Sequence, residues 1–309
     1  MHGLEELPRL PGGCAATVGN FDGVHLGHQR ILAQARAASQ QRNLPLAAVT
    51  FEPAPVRLLA PQKAPEPLMH LEQRTGALGA AGADTVVVLH TTRELLNMPA
   101  ETFIRQVIVD RLAAAAVVEG DNFFFGHNRT GNVQMLAQMG RTLGFEVQVA
   151  EPVMIELDGR PVRISSSLIR QLIREGRVSD AARGLGRPYA MRGAAIRGHG
   201  RGTTLGYPTA NLDCGQQLIP ADGVYAGRAL LGDTIFPAAV SVGTRPTFGR
   251  LSRAVEAYLL DYAGGPLYGS VLEVQVLQRL RGQQKYGKVE DLLAQMEQDV
   301  QHVRDSLKP

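Results

Sequence analysis

The sequence holds little of what disulfide-rich, membrane-spanning and many nucleic-acid-binding proteins need. It has no tryptophan, aromatic residues make up 5% of it, and its only two cysteines, Cys14 and Cys214, lie outside metal-binding or redox spacings. We expect both thiols to be reduced and at least partly buried. No apolar run approaches the ~20 residues that cross a bilayer.

Charge and the N-terminus narrow the classes of function further. Residues 1–10 are acidic and lack the apolar core of a signal peptide, so we expect a cytoplasmic protein without membrane contact. The 32 basic and 29 acidic side chains give a net charge of +3, and the arginines are scattered rather than clustered. This pattern argues against nucleic-acid binding and suits small anionic ligands better.

The length of 309 residues predicts two domains, because a single core seldom grows past ~250 residues. Glycines and a proline interrupt the pattern around residues 176–188, so we place the boundary at Gly186, with domains 1–186 and 187–309. Short apolar runs at 46–51, 85–89, 113–119 and 145–150 predict strands. Helical patterns fill 26–41, 71–81, 100–112 and 131–143. This alternation predicts a doubly wound, mostly parallel α/β sheet in the first domain.

The second domain is predicted to be mainly β. Strand patterns at 224–231, 235–242, 253–261 and 270–280 indicate an antiparallel sheet or small barrel. A terminal helix over 289–307 carries apolar residues at helical spacing, which predicts that it packs on the barrel.

Residues 19–30 read Gly-Asn-Phe-Asp-Gly-Val-His-Leu-Gly-His-Gln-Arg and follow an apolar run, which predicts a strand, a tight turn and a helix start. His25 and His28 are three apart and project to one side of the first helical turn. Gly27 lets phosphate oxygens approach backbone N–H groups. Two half-exposed surface histidines are the ordinary alternative; a zinc site would need further ligands that do not follow in this segment.

The complete string resembles the nucleotidyltransferase signature of prokaryotic bifunctional FAD synthetases. The resemblance implies a transferase with two ATP-dependent steps: phosphorylation of riboflavin to FMN, and adenylylation of FMN to FAD with release of pyrophosphate. It implies a Rossmann-like first domain, a riboflavin-kinase barrel, Mg²⁺ with ATP, and a monomer or weak homo-oligomer. It makes His25 and His28 catalytic, and the implied nucleotide contacts of this segment are Gly19, Asn20, Phe21, Asp22, Gly23 and Gly27.

Two later segments carry the same resemblance. Residues 163–170, Arg-Ile-Ser-Ser-Ser-Leu-Ile-Arg, begin a predicted helix, and helix capping alone would explain the serines. The family's matching motif contacts ATP phosphates, which implicates Arg163, Ser166, Ser167 and Arg170. Residues 120–126, Gly-Asp-Asn-Phe-Phe-Phe-Gly, resemble a nucleotide- and flavin-binding segment, which implicates Asn122, Phe123 and Phe125, although core packing explains at least one phenylalanine.

Residues 198–212 are glycine-rich and end in Pro-Thr-Ala-Asn-Leu. In an extended backbone Thr209 and Asn211 point the same way and offer oxygens suited to Mg²⁺, although an ordinary turn is the alternative. The run resembles the flavokinase motif, which implicates Thr209 and Asn211 in metal binding and Gly202 and Gly206 in nucleotide binding.

Glu256 alternates with Val255, Ala257 and Leu259, so simple solvent exposure would explain it. The segment resembles the flavokinase strand that holds the catalytic base, which makes Glu256 the proton acceptor. A later element of the family implicates Arg281 in flavin binding. Four positions depart from the kinase pattern, where Thr203, Ser241, Tyr258 and Gln283 replace Arg, Asn, His and Glu.

Three alternatives remain beside the bifunctional enzyme. The departures fit an adenylyltransferase with a weakened kinase. A non-catalytic flavin or nucleotide sensor would have no use for a positioned base. Another nucleotidyltransferase, acting on nicotinamide or pantetheine phosphates, would explain the first domain only.

Overall fold

The structure is a computed structural model that describes residues 9–10, 12–197, 205–247 and 250–307. It divides into two compact units: unit 1 comprises Met1–Pro65 and Leu71–Ser165, and unit 2 comprises Glu66–His70 and Ser166–Pro309. The boundary at Gly186 stays a prediction. No helix in the described ranges is both long enough and apolar enough to cross a bilayer.

Unit 1 is built on a parallel sheet. Its strands are β1 Cys14–Val18, β2 Leu46–Glu52, β3 Thr85–His90, β4 Ala114–Gly120, β5 Phe124–Phe125, β6 Gly131–Asn132, β7 Glu146–Ala150, β8 Met154–Leu157 and β9 Arg160–Arg163. Five of them form the sheet in the order β3-β2-β1-β4-β7. The chain therefore moves outward from β1 through β2 to β3 and then returns to the other side of β1. This reversal places the topological switch point between the carboxyl ends of β1 and β4, where such sheets bind ligands.

The helices of unit 1 confirm the predicted β-α alternation. They are α1 Leu26–Gln41, α2 Pro55–Leu59, α3 Leu71–Ala80, α4 Arg93–Asn97, α5 Ala100–Phe103, which continues as a π-helix over Ile104–Arg111, and α6 Val133–Leu143. The short helices α2 and α4 and the β8–β9 hairpin have no counterpart among the predicted elements. Every residue of β1 is buried, as expected for a central strand covered on both faces.

Unit 2 contains a closed antiparallel barrel of six strands in the order β10-β11-β14-β13-β12-β15. Two helices precede it, α7 Ser166–Arg174 and α8 Val178–Leu185, and α9 Val289–Ser306 follows it. The strands are β10 Tyr189–Ile196, β11 Thr209–Asp213, β12 Gly223–Leu231, β13 Thr234–Thr247, β14 Arg250–Leu259 and β15 Val271–Arg281. The barrel and the terminal helix were expected, whereas β10 and β11 have no counterpart among the predicted strands.

Both cysteines are free and buried, as expected. Burial raises the pKa of each thiol to about 12, because the thiolate loses its hydration inside the protein.

Two candidate active sites

The turn after β1 is held in an unusual conformation at the switch point of unit 1. Phe21, Gly23 and Val24 have φ values of 48°, 89° and 40°. A β-branched residue such as Val24 is strained in this left-handed region, and strain of this kind clusters at functional sites. Neighbouring β2 anchors the turn: the Gly19 N–H donates to the Val49 carbonyl oxygen at 2.9 Å.

The turn leads into two stacked imidazoles. His25 is the N-cap of α1, and its Nδ1 accepts a hydrogen bond from the His28 backbone N–H at 3.3 Å. The ring centroids of His25 and His28 lie 3.7 Å apart with an interplanar angle of 17°. Phe21 packs edge-on against His28, at 5.2 Å between centroids. The N-terminus of α1 carries the positive end of the helix dipole, which favours an anion. The first turn of this helix contains no acidic residue.

Gly27 has a local reason to be glycine. A Cβ at this position would lie 3.0 Å and 3.1 Å from the Cε1 and Nδ1 atoms of the His25 ring. The missing side chain therefore makes room for the imidazole, whether or not a phosphate also approaches.

Glu119 at the end of β4 joins the two strands that flank the switch point. Its Oε1 accepts the Val18 N–H at 2.6 Å, and the residue is 3% exposed. Burial raises the pKa of this carboxyl well above its usual range, although the bond from Val18 opposes the shift. Sequence reasoning missed Glu119; the signal was a lone acidic residue at the end of an apolar strand.

The three phenylalanines in the segment after β4 differ in how far they are buried. Phe125 is 7% exposed and belongs to the core, which confirms the expectation that at least one phenylalanine packs there. Phe123 is half-buried and stacks on Phe125 at 5.1 Å, while Asn122 is exposed. Phe124 is 46% exposed and lies under the guanidinium of Arg129.

Arg163 lies at the end of β9 in an exposed ion pair with Asp121. Its Nη1 donates to Asp121 Oδ2 at 2.9 Å, and its Nη2 donates to Oδ1. The hydrogen bonds from Arg163 lower the pKa of the Asp121 carboxyl.

The serine-arginine motif continues in unit 2, where α7 begins at Ser166. The apolar residues Ile169, Leu172 and Ile173 of this helix are buried, and Leu168 is half-buried. Ser167 is exposed. Arg170 is 9% exposed, and its Nε donates to the Glu66 carbonyl oxygen at 2.9 Å.

The barrel brings the predicted metal ligands and the predicted base together. Asn211 on β11 is the register partner of Glu256 on β14, and Thr209 lies two residues before Asn211. The Thr209 hydroxyl donates to Glu256 Oε2 at 3.2 Å. On its other side Glu256 pairs in register with Ser241 of β13. Polar side chains from three adjacent strands therefore meet on one face.

That face is the outside of the barrel. Val255, Ala257 and Leu259 are buried in the interior, as the alternation predicted, and Glu256 is half-buried between them on the opposite face. Gly206, just before β11, has φ +84°, which favours glycine. The predicted nucleotide contact Gly202 and the departure Thr203 lie outside the described residues.

Arg281 forms an ion pair with Asp299 of the terminal helix α9. Its Nε donates to Asp299 Oδ1 at 3.0 Å and its Nη2 to Oδ2 at 2.7 Å. Asp299 is 4% exposed and also accepts a bond from Gln295. Sequence reasoning missed Asp299, which reads as one more acidic residue on an amphipathic helix.

Comparison with known proteins matches each half of the chain to a family. The FAD synthetase family model matches residues 7–168, and the riboflavin kinase model matches residues 185–307. Curated proteins described as bifunctional riboflavin kinase/FMN adenylyltransferase are 35% identical to this chain. The protein from Escherichia coli (strain K12) covers 97% of this chain and 94% of its own length, and that from Pseudomonas fluorescens covers 100% and 98%.

A solved structure shares the whole fold. It is described as a macrolide-efflux protein from Streptococcus pneumoniae, and it superimposes with a TM-score of 0.86 and 28% identity over 98% of this chain and 97% of its own. Its description names a different activity from that of the curated relatives.

Proposed function

The chain belongs to the bifunctional riboflavin kinase/FMN adenylyltransferase family, and from this premise we propose that its two activities use separate groups of residues. The enzyme phosphorylates riboflavin to FMN and adenylylates FMN to FAD, and it consumes ATP in both steps. We assign adenylyl transfer to the turn between β1 and α1, and phosphoryl transfer to the outer face of the barrel around Glu256.

In the adenylyl transfer, an FMN phosphate oxygen attacks the α-phosphorus of ATP while the bond to the departing pyrophosphate breaks. No covalent enzyme intermediate is needed, so the protein mainly positions the reactants and neutralises charge. The observation that carries the assignment is the stacked pair of His25 and His28 at the N-terminus of α1. Because Nδ1 of His25 accepts a bond, the neutral ring carries its proton on Nε2 and can donate it to a phosphate oxygen.

Further phosphate contacts remain proposals that rest on the motif. Asn122 and Arg163 follow strands of unit 1, and an exposed ion pair such as Arg163–Asp121 is worth only about 0–1 kcal/mol, so a phosphate can replace Asp121. Ser166, Ser167 and Arg170 are proposed ATP contacts on the same ground, as are Phe123 and Phe125 for flavin.

In the kinase reaction, we assign to Glu256 the acceptance of the proton from the riboflavin 5′-hydroxyl. That oxygen attacks the γ-phosphorus of ATP, and ADP leaves. The hydrogen bond from Thr209 fixes the direction of the carboxylate. Arg281, the proposed flavin contact, is held in place by Asp299.

A divalent cation fits the same face. ATP-dependent enzymes of this kind generally use a divalent metal, and we propose Mg²⁺. The Thr209 hydroxyl and Asn211 amide supply neutral oxygen ligands, and ATP phosphates supply the remainder, which is the donor set that Mg²⁺ prefers. When bound, the ion would neutralise charge on the transferring phosphate.

Product chromatography tests the two-step assignment. The purified chain is incubated with ATP and Mg²⁺ and, in parallel tubes, with riboflavin or FMN. We expect FAD in both tubes. FAD from FMN alone would indicate that the departures have silenced the kinase, and no product in either tube would favour a flavin or nucleotide sensor.

The variant Glu256→Gln tests the separation of the sites. We expect riboflavin phosphorylation to fall by about 10²–10⁴-fold, because a general base contributes about that much. Conversion of supplied FMN to FAD should be unchanged. Glu290→Gln, an exposed exchange in the first turn of α9, is the matched control. Loss of both activities in a folded Glu256→Gln protein would contradict the two-site assignment.

A further inference from the structure

Two of the departures from the kinase pattern contact each other. The side-chain amide of Gln283, just after β15, donates from Nε2 to the Ser241 hydroxyl at 3.1 Å and to the Val242 carbonyl oxygen at 2.8 Å. The same atom lies 3.1 Å from where a Cβ of Gly243 would be. One amide therefore rests on three consecutive residues of β13.

This contact lies beside the proposed base. Ser241 and Glu256 are directly opposite each other in the pairing of β13 with β14. Side chains of such partners lie on the same face of the sheet, with Cβ atoms about 4.5–5.5 Å apart. The hydroxyl that Gln283 binds is thus a neighbour of the Glu256 carboxylate, on the face that also carries Thr209 and Asn211.

The chemistry of the contact requires a donor at position 283. The Val242 carbonyl can only accept, so an ionised glutamate at position 283 would place its carboxylate against that oxygen with no hydrogen bond between them. When the Ser241 oxygen accepts from Gln283, its own O–H is left to donate in another direction. In the pattern that the chain resembles, Asn and Glu occupy positions 241 and 283, a pair in which the amide at 241 could donate to the carboxylate at 283. In this chain Gln283 donates and Ser241 accepts, so the hydrogen bond joins two neutral side chains.

We propose that Gln283 is a positioning residue for riboflavin phosphorylation: its amide orients the Ser241 hydroxyl and fastens the chain after β15 to β13 beside Glu256. The proposal rests on the proposed role of Glu256. Gln283 acts through Ser241 and β13, so its loss should lower the turnover of the kinase step rather than the affinity for ATP.

Steady-state kinetics of three variants test this role. Gln283→Ala should lower kcat for riboflavin phosphorylation about 3- to 10-fold, the effect of one or two ordinary hydrogen bonds, with KM for ATP within about twofold. Gln283→Glu should lower it further, because its carboxylate faces the Val242 carbonyl. Adding Ser241→Asn to Gln283→Glu should recover at least about threefold, since the new amide donates to the carboxylate.

The controls separate positioning from general damage. Gln284→Ala removes a neighbouring glutamine, which accepts a hydrogen bond from the Tyr286 hydroxyl within the same segment, and it should keep the original kcat. FMN adenylylation by every variant should be unchanged. An unaltered kcat in Gln283→Ala, or no recovery in the double variant, would overturn the proposal. If Glu256→Gln retains phosphorylation, the role of Glu256 fails instead, which the same assay reveals.

Discussion

His25 Nδ1 accepts a hydrogen bond from the backbone N–H of His28, and the two imidazole rings stack 3.7 Å apart. The hydrogen bond caps α1 and orients the His25 ring, and the stacking places the His28 ring against it. Because Nδ1 of the neutral His25 ring accepts the capping bond, the ring proton lies on Nε2, the atom that we propose donates to a phosphate. The predictions for adenylyl transfer depend on this geometry.

Replacing His28 should damage adenylyl transfer selectively. A donor that stabilises charge in the transition state contributes about 3 kcal/mol, so His28→Ala should cut FAD formation from FMN by roughly two orders of magnitude. Riboflavin phosphorylation by the same protein should continue. His302→Ala, an exposed exchange on α9, is the control. Near-normal FAD synthesis in His28→Ala would contradict the assignment of His28 to adenylyl transfer.

Gly27→Ala should lower FAD formation without a matching loss of thermal stability. Alanine favours a helix over glycine by up to about 1 kcal/mol, which offsets part of the strain of the new contact, so the thermal midpoint of unit 1 should change little. The new Cβ would press on the His25 ring, which is 6% exposed and stacked on His28, so it cannot move without disturbing the pair. We expect FAD formation to drop about tenfold, measured beside the thermal midpoint.

The matched control for this exchange is Gly76→Ala. Gly76 is also helical, and a Cβ there would meet nothing within 4 Å. It should raise stability and leave FAD synthesis intact. Equal activity of the two variants would show that the space beside His25 is not needed.

Much of the fold follows from patterns that operate over a few residues. The helix over residues 26–41 was predicted with the bounds that the structure gives, because its apolar spacing and its glycine-rich start are local signals. The alternation around Glu256 likewise predicted which face of β14 is buried. The spacing of two residues in an extended backbone also predicted that Thr209 and Asn211 lie on one side of β11.

Contacts between distant residues could not be predicted from single segments. Gln283 and Ser241 each stood out as departures, yet their hydrogen bond depends on how β13 approaches the end of β15. Glu119 is 101 positions from Val18, and its role depends on β1 and β4 lying side by side. The π-helical continuation of α5 changes hydrogen-bond partners without changing the apolar pattern.

Glu119 should make the stability of unit 1 fall as pH rises. Burial raises the pKa of its carboxyl above the ordinary value of 4.5, so above that pH the unfolded chain ionises while the folded chain keeps its proton. The free energy of unfolding therefore decreases with pH until the folded pKa is reached. Glu119→Gln removes this pH dependence, because an amide does not titrate, and it keeps an oxygen that can accept the hydrogen bond from the Val18 N–H.

Thermal midpoints measured from pH 5 to pH 8 check this sign. Relative to the original chain, the Glu119→Gln variant should become more stable as pH increases, until the pKa of the folded Glu119 carboxyl is reached. Glu151→Gln, at an exposed position, should show a constant difference. A difference for Glu119→Gln that does not change with pH would mean that the buried carboxyl titrates normally.

The ion pair between Arg281 and Asp299 should hold α9 on the barrel. The two side chains are 17% and 6% exposed, so Asp299→Ala leaves a largely desolvated guanidinium without its carboxylate. We expect unit 2 to lose about 3 kcal/mol, seen as faster hydrogen exchange in α9 and β15. Arg304→Ala, which breaks an exposed ion pair of the same helix, should change hydrogen exchange little.

Replacing both partners, Arg281→Met with Asp299→Leu, should lower the free energy of unfolding less than Asp299→Ala alone, because no unpaired charge remains. Equal exchange in Asp299→Ala and the original chain would show that apolar packing alone holds the helix.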